Sequence, residues 1–165
     1  MDADRMGSVS RNIGSQLPLD LLSELSKESP RPSAIPLISV DQDGLPHVAL
    51  VSYFELFLVR RRLHFFIHRS SRTTKFLRTR RSCTLAFMHM DYVYYVKGWA
   101  RWLHDSEQRS VFRLQVESVM QDFPTVDERS VSLKHGIRFE GEEADIHERI
   151  KIREMVRSQS MKPAG

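Results

Sequence analysis

Residues 63–90 read LHFFIHRSSRTTKFLRTRRSCTLAFMHM, and their order decides the fold. The first apolar run, Leu63–Ile67, is too short for a helix and holds two phenylalanines and an isoleucine, so it reads as a strand. A hydroxyl-rich, basic turn follows, then a basic helical segment, then a second apolar run from Cys83 to Met88. Ser70, Ser71, Arg72, Thr73, Thr74 and Lys75 gather hydroxyls, a guanidinium and an ammonium within roughly one and a half helical turns. A helix start adds unpaired backbone N–H groups and the positive end of a dipole. Such a donor set suits a phosphate dianion. A purely structural reading stands beside it. Ser70 or Ser71 then caps the helix, and Arg72, Lys75, Arg78, Arg80 and Arg81 form a solvated face. Composition alone favours the structural reading, and the surrounding pattern is what moves the balance.

A chain of 165 residues can bury one sizeable core, so a single domain is expected. No apolar stretch approaches the ~20 residues of a membrane span, which argues against a transmembrane helix. The N-terminus shows no hydrophobic signal core, so a cytoplasmic location is expected. The single cysteine, Cys83, lies in an apolar run and reads as a small buried residue suited to a reducing compartment. A net charge of +4 permits anionic ligands. Nucleic acid is not expected, because the basic segments lack the interleaved aromatic platform that grips single strands.

Upstream of the central stretch, Arg60–Arg62 reads as a charged hairpin tip, and Phe54–Val59 either continues the preceding strand or forms a short one. Ile35–Val40 and Pro46–Tyr53 pair as a hairpin across Asp41-Gln42-Asp43-Gly44, with Gly44 supplying a positive φ. Leu17–Lys27 is a short amphipathic helix, and residues 1–16 form a mobile arm. Downstream, Tyr92–Leu103 is a long aromatic strand in which Gly98 marks a bulge or a close approach by another backbone or a ligand. Ser110–Met120 fits a strand or a helix, with the strand favoured. Asp127–His135 and Gly141–Arg157 read as helices, and residues 158–165 as a frayed tail. Residues 17–157 thus form one mainly β (α+β) domain of about six hairpin-linked antiparallel strands, with flanking helices, closing into a small barrel.

The order of pieces resembles the pyridoxamine 5′-phosphate oxidase-like family, whose fold is an FMN-binding split β-barrel. The matching segments are Asp41–Val48, Phe65–Leu77, Cys83–Phe87 and Val96–Arg101. The resemblance covers roughly residues 33–120. It implies a six-stranded antiparallel split β-barrel in which Ser71-Arg72 corresponds to the family's Ser-Arg pair. Arg72 and Lys75 would be the phosphate cations, with Ser71, Thr73 and Thr74 as hydroxyl or backbone donors. Val51 and Ser52 would lie beside the flavin ring, as would the strand end at Ile67 and His68. The resemblance further implies FMN, or the deazaflavin F420 in its place, bound at the interface of a homodimer. It points to an oxidoreductase acting on a small molecule, or to a non-catalytic flavin-, F420- or haem-binding relative. The substrate-phosphate set of the vitamin B6 oxidases, a Tyr, Arg and Ser at helical spacing after the aromatic strand, is missing from HDSEQRSVFRLQVESV, so that activity is not expected.

Other chemistry finds little support. There is no glycine-rich dinucleotide fingerprint and no P-loop. His64 and His68 are four apart in a strand with no cysteine or carboxylate to complete a metal set, so no metal is expected. No catalytic acid–base residue can be assigned from spacing.

Overall fold

The computed structural model describes residues 9–27, 33–89, 92–123 and 146–160. Eight strands form one sheet: β1 (Val9–Asn12), β2 (Ala34–Val40), β3 (Pro46–Ser52), β4 (Leu56–Val59), β5 (Arg62–His68), β6 (Ser82–His89), β7 (Tyr92–Asp105) and β8 (Arg109–Phe123). Three helices accompany them: α1 (Leu19–Ser26), α2 (Arg72–Thr79) and α3 (Ile146–Ser160). The strand order is β3-β2-β6-β7-β8-β5-β4, with β1 added on β8, and every pairing is antiparallel. The two outer strands of that order, β3 and β4, are joined directly by a 3-10 turn at Tyr53–Glu55. The sheet therefore coils until its ends meet in sequence, which is the split-barrel arrangement.

Two cores explain why β5 is buried from Leu63 to Ile67. Leu63, Phe65 and Ile67 point inward, with Leu21 and Leu25 of α1, Leu77 of α2, Leu85, Phe87, Val96 and Phe112. Phe66 belongs to a second cluster on the outer side, with Phe57, Val59 and Val111, covered by Ile152 and Val156 of α3. A strand buried on both faces loses the alternation of a half-exposed one.

Among the described residues the strand count is eight, not six, and the two additions have physical causes. Residues 9–12, expected within an unstructured arm, form β1 by backbone pairing to residues 120–123. Phe54–Val59 resolves into the 3-10 turn and β4, because Ser52 and Glu55 form a reciprocal capping box that breaks the strand. Ser110–Met120 is strand throughout. Among the described residues the last helix covers Ile146–Ser160, and so runs into the segment expected to fray. The helix expected at Asp127–His135 lies outside the described residues. Gly44 has φ +85° in the β2–β3 turn, as expected. Gly98 sits at a register shift between β7 and β8, where a Cβ would lie 2.0 Å from the Gln115 carbonyl oxygen. Cys83 is buried, and burial pushes its thiol up to about 12. No helix among the described residues is long and apolar enough to cross a membrane.

Candidate functional site

The site is built at the start of α2, where the chain leaves β5 and crosses to β6. Ser71 is the N-cap: its Oγ accepts from the Thr74 amide at 3.1 Å and lies 3.1 Å from Thr74 Oγ1. Thr74 Oγ1 donates to the His68 carbonyl at 2.8 Å, tying the helix start to the end of β5. Thr73 is also buried, and its Oγ1 lies 3.2 Å from Nε2 of His47 on β3. The His47 ring meets Phe76 edge-on, with centroids 5.1 Å apart. The hydroxyls of Ser71, Thr73 and Thr74 are thus engaged with protein partners. They fix the helix end in place.

That fixation leaves the cations facing out. Arg72 and Lys75 are exposed and line a cleft of about 390 Å³ with Phe76 and the β2–β3 turn residues Asp41, Gln42 and Asp43. Among the described residues neither cation has an ion-pair partner, and the amides of Arg72 and Thr73 have no acceptor. Asp41 is turned into its own loop, its Oδ1 accepting from the amides of Asp43 and Leu45 at 2.9 and 2.8 Å. An anion here would meet a guanidinium, an ammonium and two free N–H groups at the positive end of a helix.

The rest of the basic segment is structural. Arg78 donates to Asp105 Oδ2 at 2.7 Å and stacks on Trp102 at 5.0 Å, joining α2 to the β7–β8 hairpin. Burial raises the Asp105 carboxyl, but hydrogen bonds from Arg78, Ser110 and Trp102 outweigh it and hold the group at about 2. Arg80 donates to the Gln42 carbonyl at 2.8 Å, pinning the turn beside the cleft. Arg81 takes the left-handed conformation, φ 64°, that ends the helix.

The other expected site residues are spread along two strands. Ile67 is buried in the core. His68 is exposed at the end of β5, where its Nδ1 lies 2.9 Å from Ser70 Oγ. Val51 is buried, and Ser52 caps the 3-10 turn. These last two stand four and five residues along β3 from His47, about 13–17 Å of extended chain. The structure therefore sets Arg72 and Lys75 on the cleft, packs Thr73 against His47 behind them, and keeps Val51 and Ser52 at the far end of β3. Sequence reasoning did not single out His47, since only the fold brings the start of β3 to α2. Among the described residues there is no group of three His, Cys, Asp or Glu side chains set to hold a metal.

No protein-family profile matches the chain, and no curated protein matches it in sequence. Solved structures do match in shape. A conserved hypothetical protein, Rv2991 from Mycobacterium tuberculosis, aligns over 78% of this chain and 95% of its own, with TM-score 0.53 and 12% identity. PhzG from Burkholderia lata, solved with tetrahydrophenazine-1-carboxylic acid, aligns over 62% of this chain and 73% of its own, with TM-score 0.50 and 12% identity. The likeness is one of fold: the chain has the split-barrel fold of the pyridoxamine 5′-phosphate oxidase-like proteins.

Proposed function

We propose that this chain binds a phosphorylated flavin, FMN or alternatively F420, and acts as a flavin-dependent oxidoreductase on a small organic molecule. The observation that carries the reading is the pair of uncompensated cations, Arg72 and Lys75, on a capped helix start. The phosphate would take Arg72, Lys75 and the open amides of Arg72 and Thr73. The donors fit a dianion, and the Asp41 and Asp43 carboxylates on the opposite wall favour a ligand seated toward the helix.

From that anchor the ring would extend along β3 toward Val51 and Ser52. Val48 and Leu50, 57% and 44% exposed, alternate with His47 and Val51 and so stand on the other face of β3, open to a partner. The bound flavin would supply the two-electron chemistry, while the protein orients it and excludes water. Charge-assisted hydrogen bonds contribute roughly 1.5–3 kcal/mol each, so losing two cations should weaken binding well over tenfold.

A homodimer belongs to the same proposal. The outer face of β3-β2-β6-β7 presents Leu50, Val48, Ile38, Val40, Pro46 and Trp99, brought side by side by the register. No described helix covers that face, and a second copy would bury it beside the cofactor. Vitamin B6 oxidation is not part of the proposal. The region after the aromatic strand is the β7–β8 hairpin, so its side chains do not stand at helical spacing.

The test is a titration of purified protein with FMN and with F420, read by flavin fluorescence, followed by addition of NADH or NADPH. Saturable binding of either, with bleaching by the reductant, supports the reading. Binding without turnover of any reductant reduces it to a carrier, and absence of binding removes it.

A further inference from the structure

At the other end of β5 a second group of arginines has no place in the cofactor site. Arg60 and Arg61 form the two-residue β4–β5 turn, both with left-handed φ of 49° and 61°. Such turns favour Asn-Gly, because a side chain with φ > 0 is strained, so two arginines there are held against their preference. Arg62 follows on β5. On β8, Arg113 pairs directly with His64 on one side and with Arg101 on the other. Like charges opposite one another in a sheet are unfavourable. Among the described residues no carboxylate is paired with Arg61, Arg62, Arg101 or Arg113. Burial and the neighbouring Arg101 and Arg62 all push the Arg113 guanidinium below its ordinary range.

The same region holds the gap in the sheet. Residues 109–113 of β8 pair with β5, and residues 120–123 pair with β1. Hydrogen bonds between Val119 and both Ile13 and Gly14 extend the second pairing slightly. Between these two partners, residues 114–118 have no strand on that edge among the described residues. The gap opens into a cleft of about 470 Å³, within the range of small-molecule sites. Arg61, Arg62 and Arg113 line it together with the apolar Leu17, Leu22, Leu63 and Leu114.

We propose that this gap between β1 and β5 is a second ligand site, which takes a small amphipathic anion: an apolar body ending in a carboxylate or phosphate. The arginines supply bidentate donors for an oxyanion, whereas the leucines suit a hydrocarbon or ring. Oxyanion binding would also relieve the mutual repulsion of Arg62, Arg101 and Arg113. The site is separate from the cofactor cleft, because Arg62 and His68 close opposite ends of β5, about 20 Å apart.

The experiment is calorimetric titration of the full chain with phenyl phosphate and, separately, with phenylacetate. Arg72→Ala/Lys75→Ala serves as the background, so that the α2 site does not report. Inorganic phosphate and benzyl alcohol test the head and the body alone. The expected result is one saturable equivalent of at least one aromatic anion, with tenfold or weaker binding of inorganic phosphate and of benzyl alcohol. Which anion binds distinguishes a phosphate from a carboxylate ligand. Adding Arg62→Ala/Arg113→Ala should weaken binding at least tenfold. If that variant fails to fold, Arg113→Gln should weaken binding at least threefold. No saturable binding of either anion, equal binding of benzyl alcohol, or affinity unmoved by the arginine substitutions overturns the proposal. None of these outcomes bears on FMN binding, which is read on the chain with Arg72 and Lys75 intact.

Discussion

Replacing Gly98 with alanine is the most direct structural perturbation the barrel offers. The new Cβ would lie 2.0 Å from the Gln115 carbonyl oxygen, 2.9 Å from its carbon and 3.1 Å from the Val116 Cα. All three are main-chain atoms of β8, so no side-chain rotation relieves the overlap. Carbon–oxygen contacts settle near ~3.3 Å, so β7 and β8 would have to part by about 1.3 Å at this point. Overpacking of a well-packed region costs about 1–3 kcal/mol, and each ladder hydrogen bond lost adds about 1 kcal/mol. Alanine returns roughly 0.5–1 kcal/mol by restricting the unfolded chain. The net expectation is a loss of about 3 kcal/mol, or about 6–12 °C in Tm for a chain of this size. Urea denaturation followed by circular dichroism measures it. A loss below about 1 kcal/mol with an unchanged m-value would refute the claimed strand contact.

Three further outcomes follow from the geometry. Burial, with help from Arg113 and Arg62, pushes His64 down to about 4 against an opposing hydrogen bond to the Arg62 carbonyl. The folded state thus holds the ring neutral where the unfolded chain takes a proton. Stability is full above about pH 6.5 and falls by about 3 kcal/mol as pH drops toward 4. His64→Phe should remove that portion of the pH dependence in chemical denaturation, and an identical profile would contradict the assignment. Arg78→Ala should let the Asp105 carboxyl titrate upward from about 2 in an NMR titration, with no more than about 1 kcal/mol of stability lost. An unmoved Asp105 would show that Arg78 does not hold it. Ser71→Ala should cost about 1 kcal/mol of stability as a lost cap while changing FMN affinity less than threefold. A tenfold loss of affinity in a folded Ser71→Ala variant would place that hydroxyl on the ligand.

How much of this was legible depended on whether a residue's partners were near in sequence. The Phe65–Ile67 strand, the Asp41–Gly44 turn and the close approach at Gly98 each announce themselves locally. Ser110–Met120 stayed ambiguous because Val111 and Phe112 are buried on opposite faces, which erases the period-two signal. β1 left no side-chain pattern, since Val9–Asn12 is held by backbone pairing to residues 120–123. The break before β4 did carry a sign, the Ser52-x-x-Glu55 capping box, which a strand reading overrides. The site divided in the same way. Ser71 as a helix cap is a local fact. That Arg78 and Arg80 are taken by Asp105 and Gln42, 27 and 38 residues distant, is not, and it is their removal that singles out Arg72 and Lys75. His47 entered the site only through the fold.

The proposed role of the two cations on the capped helix start is to hold a phosphorylated flavin. The measurement is the dissociation constant for FMN, by flavin fluorescence, in the unaltered chain and in Arg72→Ala/Lys75→Ala, with melting curves to establish that both are folded. The expected result is saturable binding weakened at least tenfold by the double substitution. Equal affinity in the two folded proteins would contradict it.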